Sequence, residues 1–243
     1  MRLATLRTGK SYILYDKDSL CDADQAPQIG PSTFDPDWWQ AQGRVTGQAP
    51  GRGASLFLNA GTGEEWVLRP YRRGGMVARL SDARYLWTGV ERTRAFREMR
   101  LTADLLARDL PVPRPVAASV TRHGLTYEAA LLTVRIPGAR ALANLLENGE
   151  ADDELLQRVG ATIRRFHDTG LDHVDLNARN LLVDNSGKVW LIDLDRCRLR
   201  RDGDWKGRNL ERLERSLDKL TNSVTARNTV KQVSEGYTEG YSA

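Results

Sequence analysis

Between residues 173 and 193 the chain reads HVDLNARNLLVDNSGKVWLID, an arrangement few folds can accommodate. Residues 181–183 and 189–193 are short apolar runs. Asp184, Asn185, Ser186 and Gly187 between them have the chemistry of a tight turn, which predicts a small β-hairpin. Asp175 and Asn180 stand five residues apart in the irregular segment ahead of it. Asp193 leaves the second strand, so closing the hairpin returns it beside Asn180. Three oxygen-bearing side chains of this kind suit Mg²⁺, a hard cation that takes few protein groups and keeps room for water and phosphate. Two of them would hold the metal while one carboxylate orients a hydroxyl nucleophile.

The surrounding pattern is mixed. Leu155, Leu156, Val159, Ile163 and Phe166 recur at helical spacing within residues 152–168. Acids open that stretch, and Arg164, Arg165 and His167 close it before Gly170. An earlier helix beginning at Glu91 carries Phe96, Met99, Ala103, Leu106 and Leu110 and is stopped by Pro111, Pro113 and Pro115. Strands are expected at 55–59 and 66–71, joined by the turn 60–63, and at 116–120 and 127–134. Pro137-Gly138 is the candidate hinge, and residues 142–146 read as a short helix.

Residues 1–50, with Pro27, Pro31, Pro36 and Pro50, read as an irregular N-terminal segment holding one short helix near 35–42. Residues 202–243 read as one amphipathic helix around Leu210, Leu213, Leu217 and Leu220, followed by a polar tail that frays. The expected class is therefore α+β. Residues 51–135 form an antiparallel-sheet lobe with one main helix, and residues 136–243 form a mainly helical lobe.

Composition narrows the class of function. A chain of 243 residues with 40% hydrophobic content can bury a sizeable core, which excludes disorder. No run approaches the roughly 18 apolar residues of a membrane-spanning helix. The opening residues lack the apolar core of a secretory signal, and Cys21 and Cys197 make no disulfide framework, so a cytoplasmic protein is expected. The net charge is +4, and thirty arginines stand against six lysines. Arginine's planar fork suits phosphate and carboxylate, so the balance points to an anionic partner. No basic and aromatic module of the kind that binds nucleic acid is present. Three histidines are too few for a hydrolytic metal cluster at His167 and His173. Trp66, Trp87, Trp190 and Trp205 are expected to pack, and Cys197 to be an inert thiol.

The pattern H-x-D-x-x-x-x-N, followed by an apolar hairpin ending in Asp, is similar to the catalytic core of protein-kinase-like enzymes. In that resemblance Gly51 and Gly53 of GRGASLFL open a loop over nucleotide phosphates, although Leu56 stands where a third glycine is usual. Arg69 of WVLRPY takes the place of the phosphate-pairing lysine. Glu98 is its expected ion-pair partner and Glu91 the fallback. These segments, together with RPYRRGGMVARL, LPVPRPVAA, RIPGARALANLL and ATIRRFHDTG, resemble the lipopolysaccharide kinase family over most of residues 51–201.

The resemblance implies a bilobal kinase-like fold and an ATP- and Mg²⁺-dependent kinase. Its acceptor would be the 4-hydroxyl of a Kdo (3-deoxy-D-manno-octulosonic acid) residue on a Kdo-lipid A precursor. It also implies a peripheral position on the cytoplasmic face of the inner membrane. The residues of RPYRRGGMVARL themselves read either as a solvated turn after a strand or as an anion-facing segment, with Arg72 and Arg73 beside Met76 and Val77 as an apolar edge. Asp175 then resembles the catalytic Asp, and Asn180 and Asp193 the metal-holding pair. Asp195 replaces the glycine of protein kinases, position 177 is Asn rather than Lys, and no A-P-E-like anchor follows. These departures favour a small-molecule or glycolipid acceptor. The alternatives are a lipopolysaccharide heptose kinase, another small-molecule phosphotransferase, or a non-catalytic scaffold that binds nucleotide or glycolipid.

Overall fold

Three runs, YILY at 12–15, VAASV at 116–120 and AALL at 129–132, are apolar without alternation. Strands covered on both faces read this way. The structure is a computed structural model that describes residues 1–49, 55–61, 63–71, 85–220 and 223–240. It divides into two compact units, Met1–Ala107 with Pro113–Arg135, and Arg108–Val112 with Ile136–Ala243.

The first unit is built on one eight-stranded sheet. Its strands are β1 (Leu3–Thr8), β2 (Ser11–Asp16), β3 (Val45–Gln48), β4 (Leu56–Asn59), β5 (Glu65–Pro70), β6 (Tyr85–Leu86), β7 (Pro115–His123) and β8 (Thr126–Val134). Their order is β1-β2-β7-β8-β5-β4-β3, every pair is antiparallel, and β6 pairs with the far end of β8. Among the described residues this unit carries the α-helices α1 (Lys17–Leu20), α2 (Pro36–Ala41) and α3 (Arg94–Ala107).

The two faces of the sheet bury different sets. Leu14, Ala118, Val120 and Leu131 pack with Phe96 and Met99 of α3. Ile13, Tyr15, Ala117 and Leu132 pack with Trp39 of α2, Trp66 and Leu68. Each such side chain contributes about 1.5 to 3 kcal/mol on full burial. The buried set of α3 is Ala95, Phe96, Glu98, Met99, Thr102 and Leu105, whereas Ala103 and Leu106 are only half-buried. A buried, partnered glutamate rotates the helix away from the face that its apolar residues alone define.

Residues 1–50 are not an irregular segment. Residues 3–16 form a hairpin turning at Gly9, whose φ of 59° is the left-handed conformation that glycine enters without steric cost. Strand β2 pairs with β7 and enters the core of the sheet. The prolines that suggested irregularity all lie after residue 26. The expected helix near residues 35–42 is α2, with Asp35 capping Asp37 N and Pro36 at its first position.

The second unit carries α4 (Leu142–Glu147), α5 (Asp153–Asp168), α6 (Trp205–Leu217) and α7 (Ser223–Glu239). Its short strands are β9 (Arg140–Ala141), β10 (Leu171–Asp172), β11 (Leu181–Val183), β12 (Val189–Leu191) and β13 (Arg198–Leu199). Asp152 caps α5 by accepting from Leu155 N at 2.8 Å. Residues 108–112 belong here through Leu191 N, which donates to Pro111 O at 2.9 Å.

The expectation of a fraying tail is corrected: residues 223–239 form the helix α7. It lies against α5 where Gly160 and Gly236 leave no room for a side chain. A Cβ on Gly160 would collide with the Val233 carbonyl oxygen, and one on Gly236 with that of Gln157. Gln157 Nε2 donates to Gln232 Oε1 at 2.7 Å across the same seam. No helix of the described residues is long and apolar enough to cross a membrane.

Candidate active site

Unit 2 builds its candidate site from backbone outward. After α5, β10 leads into the loop that holds Asp175 and Asn180, and β11 and β12 form the expected hairpin. The turn is locked by Asp184, whose Oδ1 accepts from Ser186 N at 2.9 Å and Lys188 N at 3.1 Å. Its Oδ2 accepts from Trp190 Nε1 at 2.8 Å. Burial raises the Asp184 pKa, but these bonds outweigh it and hold the carboxyl below its usual range.

Ile192 ties the loop to the residue that follows the hairpin. Its N–H donates to Asn180 O at 3.0 Å, and its carbonyl accepts from His173 Nε2 at 3.1 Å. Asp193 is therefore held beside Asn180 by main-chain bonds of its neighbour. Asp193 itself has φ 61°, a left-handed conformation that Asp tolerates better than most residues. His173 is 1% exposed, and burial lowers its pKa, so the ring is neutral with its proton on Nε2. It is a latch between the two loops.

Within the loop, the Asp175 carbonyl accepts from Asn177 Nδ2 at 2.8 Å and from Asn180 Nδ2 at 2.9 Å. The Asp175 backbone is thus clamped while its carboxylate is exposed. Bonding through Nδ2 leaves the Asn180 Oδ1 as an oxygen donor. An amide oxygen at Asn180 and a carboxylate at Asp193 are the donor types that a hard divalent cation such as Mg²⁺ takes. Among the described residues no cluster of three or more His, Cys, Asp or Glu side chains is assembled for a metal. His167 packs instead: Nδ1 meets Tyr237 OH at 2.9 Å, and burial, with help from Lys206, pushes its pKa down to about 4.

Below the loop lies a residue that sequence reasoning missed. Asp172, 6% exposed, accepts from Arg200 Nη1 at 2.9 Å and from Asn209 Nδ2 of α6 at 3.0 Å. Burial raises its pKa, but Asn209, Arg200 and Arg198 together outweigh that and leave it lowered. The signal available was its place directly before His173. Its partners, 28 and 37 residues on, gave none.

Unit 1 holds the other candidate residues. Arg69 on β5 pairs with Glu98 on α3, and the second Glu98 oxygen accepts from Tyr71 OH. The Arg69 guanidinium also sits over the Tyr71 ring, 5.0 Å from its centroid. Glu98 is 4% exposed, so its charge is held in the interior by these two groups. Glu91, the fallback, lies in a 3₁₀ turn ahead of α3 and bonds Arg100 at 2.8 and 3.0 Å. Tyr71 was not singled out from sequence, and its neighbour-but-one relation to Arg69 on a strand was the available signal. Gly51 and Gly53, like Arg72, Arg73, Met76 and Val77, lie outside the described residues.

An antiparallel sheet with one helix carrying a buried cation–carboxylate pair, and a helical unit with a clamped Asp loop, make this a kinase-like phosphotransferase. A profile of the lipopolysaccharide kinase (Kdo/WaaP) family matches residues 36–237, and the chain belongs to that family. A 3-deoxy-D-manno-octulosonic acid kinase of Vibrio parahaemolyticus serotype O3:K6 is 41% identical over 213 residues, 88% of this chain and 87% of the relative. One of Xanthomonas axonopodis pv. citri is 47% identical over 221 residues, covering 90% and 85%. One of Xylella fastidiosa is 44% identical over 202 residues, covering 83% and 80%.

Proposed function

We propose that this chain is an ATP-dependent kinase that phosphorylates the 4-hydroxyl of Kdo on a Kdo-lipid A precursor, in assembly of the lipopolysaccharide inner core. It works at the cytoplasmic face of the inner membrane. The observation that supports the reading most is the fastening of Asn180 to Asp193 through Ile192, with Asp175 clamped on the same loop.

In this reading Asp175 orients the acceptor hydroxyl and accepts its proton. Asn180 and Asp193 hold Mg²⁺ through oxygen. Arg69, fixed by Glu98, pairs with nucleotide phosphates, and Gly51 and Gly53 offer backbone amides to them. Bound Mg²⁺ and ATP would supply the phosphoryl group and the neutralisation of its charge. The protein's contribution is positioning and electrostatics.

The test is transfer from radiolabelled ATP to purified Kdo-lipid A precursor, followed by locating the phosphate on the sugar. Label on the 4-hydroxyl is expected. Label appearing only when heptosylated core is offered would replace this reading with a heptose kinase.

A further inference from the structure

Two of the most exposed large apolar side chains are neighbours. Leu86 is 71% exposed and Leu125 is 81% exposed. Leu86 is paired in register with Thr126, and Trp87 N donates to Leu125 O at 2.9 Å. Leu125 sits in the β7–β8 turn. Arg122 N donates to Lys10 O at 3.0 Å, which brings the β1–β2 turn, with Gly9 and Lys10, to the same end of the sheet.

On the α3 face of the same sheet end the side chains are aromatic and then basic, while Leu86, paired with Thr126, lies on the other face. Trp87 packs half-buried against the α3-side core, and its ring lies 5.7 Å from that of Tyr12. The Arg122 guanidinium lies 5.2 Å from the Trp87 ring, and that of Arg7 5.2 Å from the Tyr12 ring. Arg7, Lys10 and Arg122 are all exposed. In segments 7–12, 85–89 and 121–128 the single carboxylate is Glu128, which meets His123 Nε2 at 3.4 Å.

We infer that this end of the first unit's sheet is a docking surface for an anionic lipid bilayer, with Leu86 and Leu125 entering the headgroup region. An exposed leucine at a hairpin turn and another on the strand beside it, with amphipathic Trp and Tyr and exposed cations at the same end of the sheet, match the layers such a surface presents. A dimer interface asks for a broad apolar face rather than two projecting side chains at a sheet end that also carries exposed cations. The inference rests on the reading of the acceptor as a glycolipid, because such a substrate reaches the enzyme at a membrane.

The experiment is flotation of the full chain with vesicles of phosphatidylcholine alone, and of phosphatidylcholine with about 30% phosphatidylglycerol. Binding is expected to the anionic vesicles only, and to fall in high salt. The double substitution Leu86→Ser, Leu125→Ser should lower it about tenfold. Lys10→Glu and Arg122→Glu should each lower it about fivefold. Unchanged flotation of the leucine variant, or equal binding to neutral vesicles, overturns the inference. So does a wild-type dimer that the leucine substitutions convert to monomer in sedimentation equilibrium. Phosphotransfer to detergent-dispersed acceptor should be the same in the leucine variant and the wild type. A chain that floats as expected yet transfers no phosphate defeats the acceptor reading and leaves the surface standing.

Discussion

The two candidate sites are held in opposite ways. In the second unit the loops that carry Asp175, Asn180 and Asp193 are fastened through the Ile192 main chain and the Asp175 carbonyl. In the first unit Arg69, Glu98 and Tyr71 hold one another, and the charge of Glu98 is buried between them. The Asp175 carboxylate in the backbone-held site can be replaced without disturbing its scaffold. A side chain in the mutually held site cannot, because function and structure there share the same atoms.

Asp175→Asn is the strongest break of the first kind. It should keep the fold and nucleotide binding while lowering transfer by roughly 10²- to 10⁴-fold, as measured by label incorporation. Wild-type turnover would remove Asp175 from its role. Asp193→Asn should follow: Asn also tolerates the left-handed backbone, so the urea midpoint should move little while Mg²⁺-dependent nucleotide binding falls steeply in calorimetry. A large stability loss would show that the Asp193 carboxylate, and not the Ile192 bonds, holds the loop.

Substitution in the other site should cost both properties together. Glu98→Ala leaves Arg69 without its buried counter-charge and should lose roughly 3 to 5 kcal/mol of stability along with activity. Arg69→Ala strands the glutamate similarly, and the double variant should be little worse than either single one. Simple addition of the two losses would mean that the residues do not act as a unit.

Acid should separate the two units. His167 is buried neutral, with its pKa pushed down to about 4 from 6.5. The unfolded chain binds this proton more readily, so the contribution is intact above pH 6.5 and fades as pH falls toward 4. Between pH 7 and 5 the second unit should lose about 2 kcal/mol, read from urea midpoints, and His167→Gln should flatten that slope. The smallest effect is expected for Tyr71→Phe. Loss of one bond to Glu98 should cost about 1 kcal/mol and raise the KM for ATP severalfold at nearly unchanged kcat. An equal fall in kcat would place Tyr71 closer to the chemistry.

What could be read from the sequence follows the same division. Residues 173–193 are contiguous, and turn chemistry alone predicted the hairpin that brings Asn180 and Asp193 together. The Arg69 partner lies 29 residues away, and two glutamates on one stretch fitted it until the 3₁₀ turn removed Glu91. The N-terminal hairpin was hidden by the prolines that follow it, although YILY carried the strand signal. Helix α7 escaped notice because its buried positions include Ala226, Thr229, Gln232, Val233 and Gly236, small or polar residues that make no apolar stripe.

The glycine seam between α5 and α7 also dictates an order of events during synthesis. Helix α5 emerges first, and the partner that fits against Gly160 lies in a segment about 75 residues later in the chain. Until that segment arrives, the nascent second unit has a groove shaped to accept backbone and nothing of its own to fill it. Completion of this unit is therefore a long-range closure, slow relative to the local hairpins of the first unit.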